Sequence, residues 1–551
     1  MLSTMQDVPL TITRIMRHGT TVHGGSEVVT WTGAEPRRTS YAEVGRRSAQ
    51  LAHGLRELGV TGDERVATFL WNNQEHLECY LAVPSMGAVL HTLNLRLPPE
   101  QLIYIANHAD DRVLVLDGSL AALAAPLLGH LETVRHVVVT GADTDLTPLL
   151  ASDKNIVRYD DLLAGRPTEF DWDEEIDERS AAAMCYTSGT TGSPKGVAYS
   201  HRSTYLHSMQ VCTREGFGLS PGDTVLAVVP MFHVNAWGLP YAAMLCGASI
   251  LMPDRFLQPG PLATMIAAER PTMGAAVPTI WSGLLDHLDE HGEDVSSLSQ
   301  VVVGGSACPP ELMRAFEERH GVRIVHAWGM TETSPLGSVA HPPGGLSDED
   351  EFAYRITQGR LPASVRARLI GPDGEDVAHD GEAVGELLVR GPWIAGSYID
   401  DEGSADASGG GRFRDGWLCT GDVGSISPDG YLRLTDRAKD VIKSGGEWIS
   451  SVELENTLMG HDDVAEAAVV GVPDDKWGER PLATVVLREG ATATVADLRD
   501  YLADKVARWQ VPERWSLIEA VPKTSVGKFD KKVIRRQYAD GELTVDEVGR
   551  G

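Results

Sequence analysis

The stretch "MCYTSGTTGSPKGVAYSH" at 184–201 sets glycines, hydroxyls and one lysine between two apolar flanks. Gly189, Gly192 and Gly196 permit backbone angles closed to other residues and let amide N–H groups approach an anion. Thr187, Ser188, Thr190, Thr191 and Ser193 add hydroxyls, and Lys195 adds a compact positive charge. Together these suit a polyphosphate. The order is not that of a P-loop, because Lys195 is followed by glycine rather than Ser or Thr. A P-loop kinase or ATPase therefore loses its best support.

Such a loop needs firm elements around it. "AAAMC" before it reads as a strand, and "RVATFLW" (65–71), "RVLVLD", "HVVVTG", "TVLAVVP" and "QVVVGG" are further β-branched runs with polar or glycine punctuation. "HLECYLAVPSMGAVL" (76–90) reads as a buried helix followed by a short strand. Residues 309–321 read as a helix, with proline at its start and glycine after its end. Strand–helix alternation of this kind predicts an α/β fold. The polar, glycine-rich 400–416 segment reads as an exposed loop. After "DRAKD" the pattern restarts with "AEAAVVGVP", "LATVVLREG", the helical "VADLRDYLADKVA" and "RWSLIEAVP", a small α+β unit of domain size. The boundary is placed at Asp436, giving domains 1–436 and 437–551.

At 551 residues the chain exceeds one simple core. Its formal charge of −30 argues against nucleic acid or an anionic membrane as partner, while allowing a local basic pocket. Six scattered cysteines, without a CxxC pair, argue against zinc and a disulfide framework and point to the cytoplasm. No apolar run reaches the length of a membrane span, and the start lacks a signal-peptide core, although a peripheral membrane contact stays open.

Five more segments occur in order: "WGMTET" (328–333), "GELLVRGP" (385–392), "WLCTGD" (417–422), "DRAKDVIKSGGEWISSVELEN" (436–456) and "PKTSVGKFDKK" (522–532). With the opening loop, they make the whole chain resemble the adenylate-forming superfamily of acyl- and aryl-CoA synthetases, beetle luciferases and adenylation domains. "PMFHVNAWGLPY" (230–241), "VVVGGSACPPEL" (301–312) and "KSGGEWISSVELEN" carry a narrower resemblance to bacterial medium- and long-chain fatty-acyl-CoA synthetases. Methylmercaptopropionate-CoA ligases look similar in the same segments.

The resemblance implies a large N-terminal domain of α/β subdomains with a β-barrel-like part, and a small mobile α+β C-terminal domain. It also implies two steps, with ATP, Mg²⁺ and coenzyme A. A carboxylate first attacks the α-phosphorus to give acyl-adenylate and pyrophosphate; the thiol of coenzyme A then displaces AMP. Carried over residue by residue, the loop from Thr187 to Gly192 and Lys195 would hold phosphates, with Thr190 and Glu332 binding Mg²⁺ and Thr331 bonding the α-phosphate. Gly304, Gly305, Ser306, Trp328 and Gly329 would line the adenine. The superfamily usually has tyrosine at the Trp328 position, so the ring is expected to stack as usual but to forgo the hydrogen bond of a hydroxyl. Asp422 and Arg437 would hold the ribose. Lys528 would bridge carboxylate and α-phosphate; composition alone does not separate it from Lys523, Lys531 and Lys532. Lys439 matches a hinge about which the small domain rotates. Lys443, Gly445 and Gly446 would then face coenzyme A, with Trp448 near the adenylate. His233 would sit beside the carboxylate and Trp237 would gate the acyl tunnel, while His326 is read as structural. A homodimer formed through "PLTITRIMRHG" is also expected.

The leading function is an ATP-dependent ligase joining a medium- or long-chain fatty acid to coenzyme A. The alternatives are a ligase for a short thioether or aryl acid, a ligase loading a carrier protein, and a non-catalytic acyl-adenylate or nucleotide sensor.

Overall fold

The computed structural model describes the chain except residues 2, 188–193, 372, 400–410, 438–439, 445–446, 475, 525–527 and 549–551, and the side chains of Glu447 and Trp448. The described chain is a mixed α/β protein of three sheets, with a large N-terminal part and a small C-terminal part.

The first sheet has seven strands, in the order Asn155–Arg158, His136–Val139, Asp111–Leu116, Arg65–Phe69, Val89–Thr92, Ala181–Tyr186 and Gly196–Ser200. Every neighbouring pair is parallel except the last. Alternation of side chains divides these strands between two cores. Val66, Val113, Val115 and Val138 join one core, while Ala67, Leu114, Leu116, Val137 and Val139 join the other. A strand buried on both faces reads as a continuous apolar run, as "RVLVLD" does. The run at 65–71 ends as a strand at Phe69.

The second sheet is half parallel and half antiparallel. Its parallel half runs through Arg323–Gly329, Gln300–Val303, Met273–Ala276, Thr224–Ala227, Ser249–Met252 and Glu27–Thr30. From Arg323–Gly329 it continues into antiparallel neighbours: Leu336–Val339, Gly359–Arg360, Tyr431–Arg437, Trp417–Ile426, Gly385–Arg390 and Arg366–Ile370. The barrel-like part of the expectation corresponds to this half, which is joined to the parallel half as one sheet. The helix predicted at 309–321 is Pro310–His320, ended by Gly321 at φ +67°; the Gly321 N–H donates to the Glu317 carbonyl and the Val322 N–H to that of Phe316.

The C-terminal sheet centres on Gly478–Leu487, paired with Val464–Asp474, Ile442–Ser444 and Arg514–Leu517. Helices Ser451–Met459 and Val495–Ala503 cover it through Leu454, Leu458, Leu498 and Leu502. The early segment expected at a dimer contact forms helix Ile12–Val22, which buries Ile12, Ile15 and Met16 within the chain. Only its other side, with Arg17 and His18, is exposed. No helix among the described residues is long and apolar enough to cross a membrane.

Candidate active site

A cleft of about 1190 Å³ opens where strands Gln300–Val303, Arg323–Gly329, Trp417–Ile426 and Tyr431–Arg437 end, roofed by the segment that carries Lys528. It brings together Thr187, Lys195, Gly304, Gly305, Ser306, Trp328, Gly329, Thr331, Glu332, Asp422, Arg437, His233, Trp237 and Lys528.

The phosphate-type loop springs from an antiparallel pair in which Tyr186 opposes Gly196. Its mouth is clamped twice: the Thr187 N–H donates to the Lys195 carbonyl at 2.9 Å, and the Lys195 N–H donates to Thr187 Oγ1 at 3.3 Å. Ser188, Gly189, Thr190, Thr191, Gly192 and Ser193, named above for phosphate and metal, lie outside the described residues.

Glu332 stands on the turn Thr331–Thr333, almost fully buried. Tyr199 Oη donates to the Thr331 carbonyl at 2.9 Å, and Tyr398 Oη donates to Glu332 Oε1 at 2.6 Å. Glu332 Oε2 has no partner among the described residues.

Asp422 and Arg437 face each other across two antiparallel strands, with Arg437 Nε 3.1 Å from Asp422 Oδ1. The charge of Asp422 is the main reason that Arg437 is raised above its ordinary value. The other carboxylate oxygen, Oδ2, accepts the Trp328 indole N–H at 2.8 Å. The indole N–H thus makes a polar contact of its own, distinct from the hydroxyl contact expected to be lost here. The ring reaches Asp422 because it lies over Gly337, where a methyl would stand 2.2 Å from its Cζ3. Asp422 is therefore buried with both oxygens engaged, and each keeps a lone pair for a further donor.

At the opposite end, Val234, Asn235, Ala236 and Trp237 take φ of +46°, +51°, +49° and +56° in succession, followed by Gly238 at +74°. Four consecutive non-glycine residues in the left-handed region are rare, since each crowds its Cβ against the next carbonyl. Asn235 anchors the turn by accepting from Cys185 Sγ at 3.4 Å. Gly238 fits under His207, whose Nδ1 would be 2.6 Å from any methyl there. The turn sets the Trp237 ring against Gly304, with Cη2 3.3 Å from the position a Cβ would take.

Lys528 reaches the same end. Its Cε is 3.4 Å from where a Gly305 methyl would lie. Its carbonyl accepts the Thr524 N–H at 2.7 Å. Lys523 and Lys531 also line the cleft but are ion-paired, Lys523 Nζ with Glu466 at 2.5 Å and Lys531 Nζ with Glu455 at 2.7 Å, while Lys532 is exposed and outside the cleft. Geometry thus separates what composition left together. Burial, then the charges of Lys528 and Arg96, hold the His233 imidazole down to about 3. His233 is accordingly neutral near pH 7.

Lys443 is exposed and not part of this cleft; its N–H donates to Glu479 Oε2 at 2.9 Å. Lys439, Gly445 and Gly446 lie outside the described residues, as does the Trp448 side chain. On either side of 438–439, Ser450 Oγ donates to the Thr435 carbonyl at 2.5 Å and the Ser451 N–H to Asp436 Oδ2 at 2.7 Å. Sequence reasoning missed Tyr398 and Arg96, which sit in no motif that marks them, and gave no role to Glu455 or Lys531, which stand inside quoted motifs. It also read His326 as structural, yet that residue lines the cleft, with burial lowering its imidazole to about 4.

A cleft with a buried aspartate paired to a half-buried arginine at one end, a glycine-cut wall and a lysine from a small C-terminal part has the makings of a nucleotide-dependent enzyme. The chain belongs to the AMP-binding enzyme family, whose model matches residues 17–399; the family's C-terminal domain model matches residues 453–528. It is 44% identical over 546 residues to 3-methylmercaptopropionyl-CoA ligase of Ruegeria pomeroyi, covering 98% of this chain and 99% of that one. It is 44% identical over 542 residues to long-chain-fatty-acid–CoA ligase of Thermus thermophilus, with 97% of each chain covered. To medium-chain-fatty-acid–CoA ligase of Ectopseudomonas oleovorans it is 41% identical over 544 residues, with 98% of each covered. Among solved structures, an anthranilate CoA ligase in complex with anthranoyl-AMP superposes with a TM-score of 0.87 at 25% identity, covering 98% of this chain and 100% of that one.

Proposed function

We propose that this chain is an ATP-dependent acid–thiol ligase that joins a medium- or long-chain fatty acid to coenzyme A. Similarity to fatty-acid–CoA ligases over nearly its full length supports the reading. The observation that carries it is the placing of Lys528 over Gly305 and close enough to His233 to depress it, while Asp422 and Arg437 stand ready for a ribose.

The first step must bring a carboxylate to a polyphosphate, so its main demands are charge neutralisation and alignment. Asp422 takes the ribose hydroxyls through its remaining lone pairs, and the indole face of Trp328 and the Gly304–Ser306 backbone hold the base. Lys195 and the loop hold the terminal phosphates, and Thr331 bonds the α-phosphate. Glu332, a buried carboxylate with one oxygen unpartnered among the described residues, fits a hard cation, and Thr190 would complete the pair. Bound magnesium would neutralise phosphate charge. Lys528 steadies both anions as the carboxylate oxygen bonds to the α-phosphorus and the bond to pyrophosphate breaks. Neutral His233 leaves that lysine's charge uncontested and orients the carboxylate by hydrogen bonding.

In the second step the small domain, 437–551, turns on the 1–436 domain about Lys439. Lys528 then withdraws and Lys443, Gly445, Gly446 and Trp448 approach. The thiol attacks the acyl carbon and AMP leaves. Trp237, closed against Gly304, moves aside for the acyl chain. The enzyme acts in the cytoplasm as a homodimer.

A second reading, a ligase for a short thioether acid, is favoured by the 44% identity to 3-methylmercaptopropionyl-CoA ligase. The test is pyrophosphate release across acids from a three-carbon thioether to long chains, with and without coenzyme A. A maximum at medium or long chains with acyl-CoA formed supports the main reading. A maximum at the thioether acid moves the assignment to the second. Adenylate without thioester points to a carrier acceptor, and silence with every acid points to a sensor.

A further inference from the structure

Tyr398 lies outside every motif that marks the site, yet it touches two of its charged groups. Its hydroxyl donates to Glu332 Oε1 at 2.6 Å, and the face of its ring lies 4.9 Å from the Lys195 ammonium. The side chain is almost fully buried and lines the cleft. The short segment bearing it is stitched to both neighbours. On one side the Ala395 N–H donates to the Glu332 carbonyl at 2.7 Å, and Ser334 Oγ donates to the Trp393 carbonyl at 2.7 Å. On the other side the Ile399 N–H donates to the Gly196 carbonyl at 2.9 Å, one residue after Lys195.

From these contacts we infer that Tyr398 is a positioning residue that fixes the Glu332 carboxylate for a divalent cation and sets Lys195 at a constant distance from it. The inference rests on the reading of Glu332 as the cation ligand given above. Two physical arguments carry it. A carboxylate with one oxygen tied by a phenol presents its other oxygen in a single orientation, and outer partners of this kind change metal affinity by about 10- to 100-fold. A lysine over an aromatic face is attracted by the ring quadrupole, so it is held without neutralising the charge that phosphates need. One side chain thereby couples a cation ligand to a phosphate lysine from a different sheet.

The variants Tyr398→Phe and Tyr398→Leu separate the two contacts. Phenylalanine keeps the ring, including its edge-on packing against Phe413 at 5.2 Å, and removes only the donor. ATP binding is measured by calorimetry at a series of magnesium concentrations, with no acid or coenzyme A present. Tyr398→Phe is expected to raise the half-saturating magnesium concentration by about tenfold, with ATP affinity restored to within about twofold at saturating magnesium. Tyr398→Leu should show the same shift and an additional loss of ATP affinity that magnesium does not restore. An unchanged magnesium dependence in Tyr398→Phe, or an equal loss at every concentration, overturns the inference. Glu332→Gln is the control. If it shifts the magnesium dependence and Tyr398→Phe does not, the positioning role alone falls. If Glu332→Gln has no effect, the reading of Glu332 falls and the inference with it.

Discussion

The two ends of the cleft are built on opposite principles. At the proposed ribose end, Asp422 and Arg437 come face to face in antiparallel register, and Trp328 adds its indole from a strand of the same sheet with three strands between it and that of Asp422. At the acid end, Trp237 rides on four left-handed residues, a conformation that costs about 1–2 kcal/mol per residue and persists only where the surroundings impose it. Here the surroundings are Asn235 bonded to Cys185, Gly238 beneath His207 and the buried helix Leu239–Cys246. A nucleotide is constant, so its site can rest on regular structure. A wall that must fit one acid is shaped by packing from distant segments, and strain collects there.

The largest expected effect that sharpens this contrast is acid sensitivity. His76, His207 and His233 are lowered to about 3, and His201 and His326 to about 4, with burial the leading cause in each. Three of these, His207, His233 and His326, belong to the acid end or its support. Their folded values lie below the unfolded value of about 6.5, so the unfolded chain binds more protons as pH falls and stability drops. Glu455, raised to about 7, and Asp254, raised to about 6, both chiefly by burial, act in the opposite sense but are fewer than the five histidines. From pH 7 to 5.5 the loss should be about 1 kcal/mol per histidine, several kcal/mol in all. Urea midpoints at the two pH values measure it; equal midpoints would refute the buried-neutral assignment.

Next in size is Asp422→Ala. It leaves Arg437 and the Trp328 N–H without their shared acceptor and removes the proposed ribose contact. The half-saturating ATP concentration should rise by about 100-fold, worth about 3 kcal/mol, with acid preference unchanged. A change in which acid is favoured would break the separation of the two ends.

The smallest is Ala236→Gly. Glycine accepts φ of +49° without crowding, so the variant should gain about 0.5–1 kcal/mol in stability while loosening the turn beneath Trp237. Discrimination between acids of different length should fall, with ATP affinity unaltered. Lower stability would mean that the turn is not strained.

Much of the proposed ribose end was legible in the sequence because its residues stand inside compact motifs. The resemblance carried by "TGD" and "DRAKD" put Asp422 and Arg437 together at a ribose, and glycines 304 and 305 marked close backbone approach. The choice of Lys528 among four lysines became physical only with the ion pairs of Lys523 and Lys531. Other features were not legible for identifiable reasons. The Trp328–Asp422 bond depends on Gly337 clearing space for an indole, a relation between residues far apart in sequence. The left-handed turn at 234–237 contains only one glycine neighbour, so no local signal announces it. Tyr398 is one tyrosine among many until Glu332 and Lys195 are brought to it.

The central claim is that Lys528 serves the first step and not the second. Lys528→Ala, assayed for acid-dependent pyrophosphate release and separately for thioester formation from supplied acyl-adenylate, tests it most directly. The account predicts a fall of about 100-fold or more in the first and near-normal rates in the second. Equal losses in both half-reactions would contradict it.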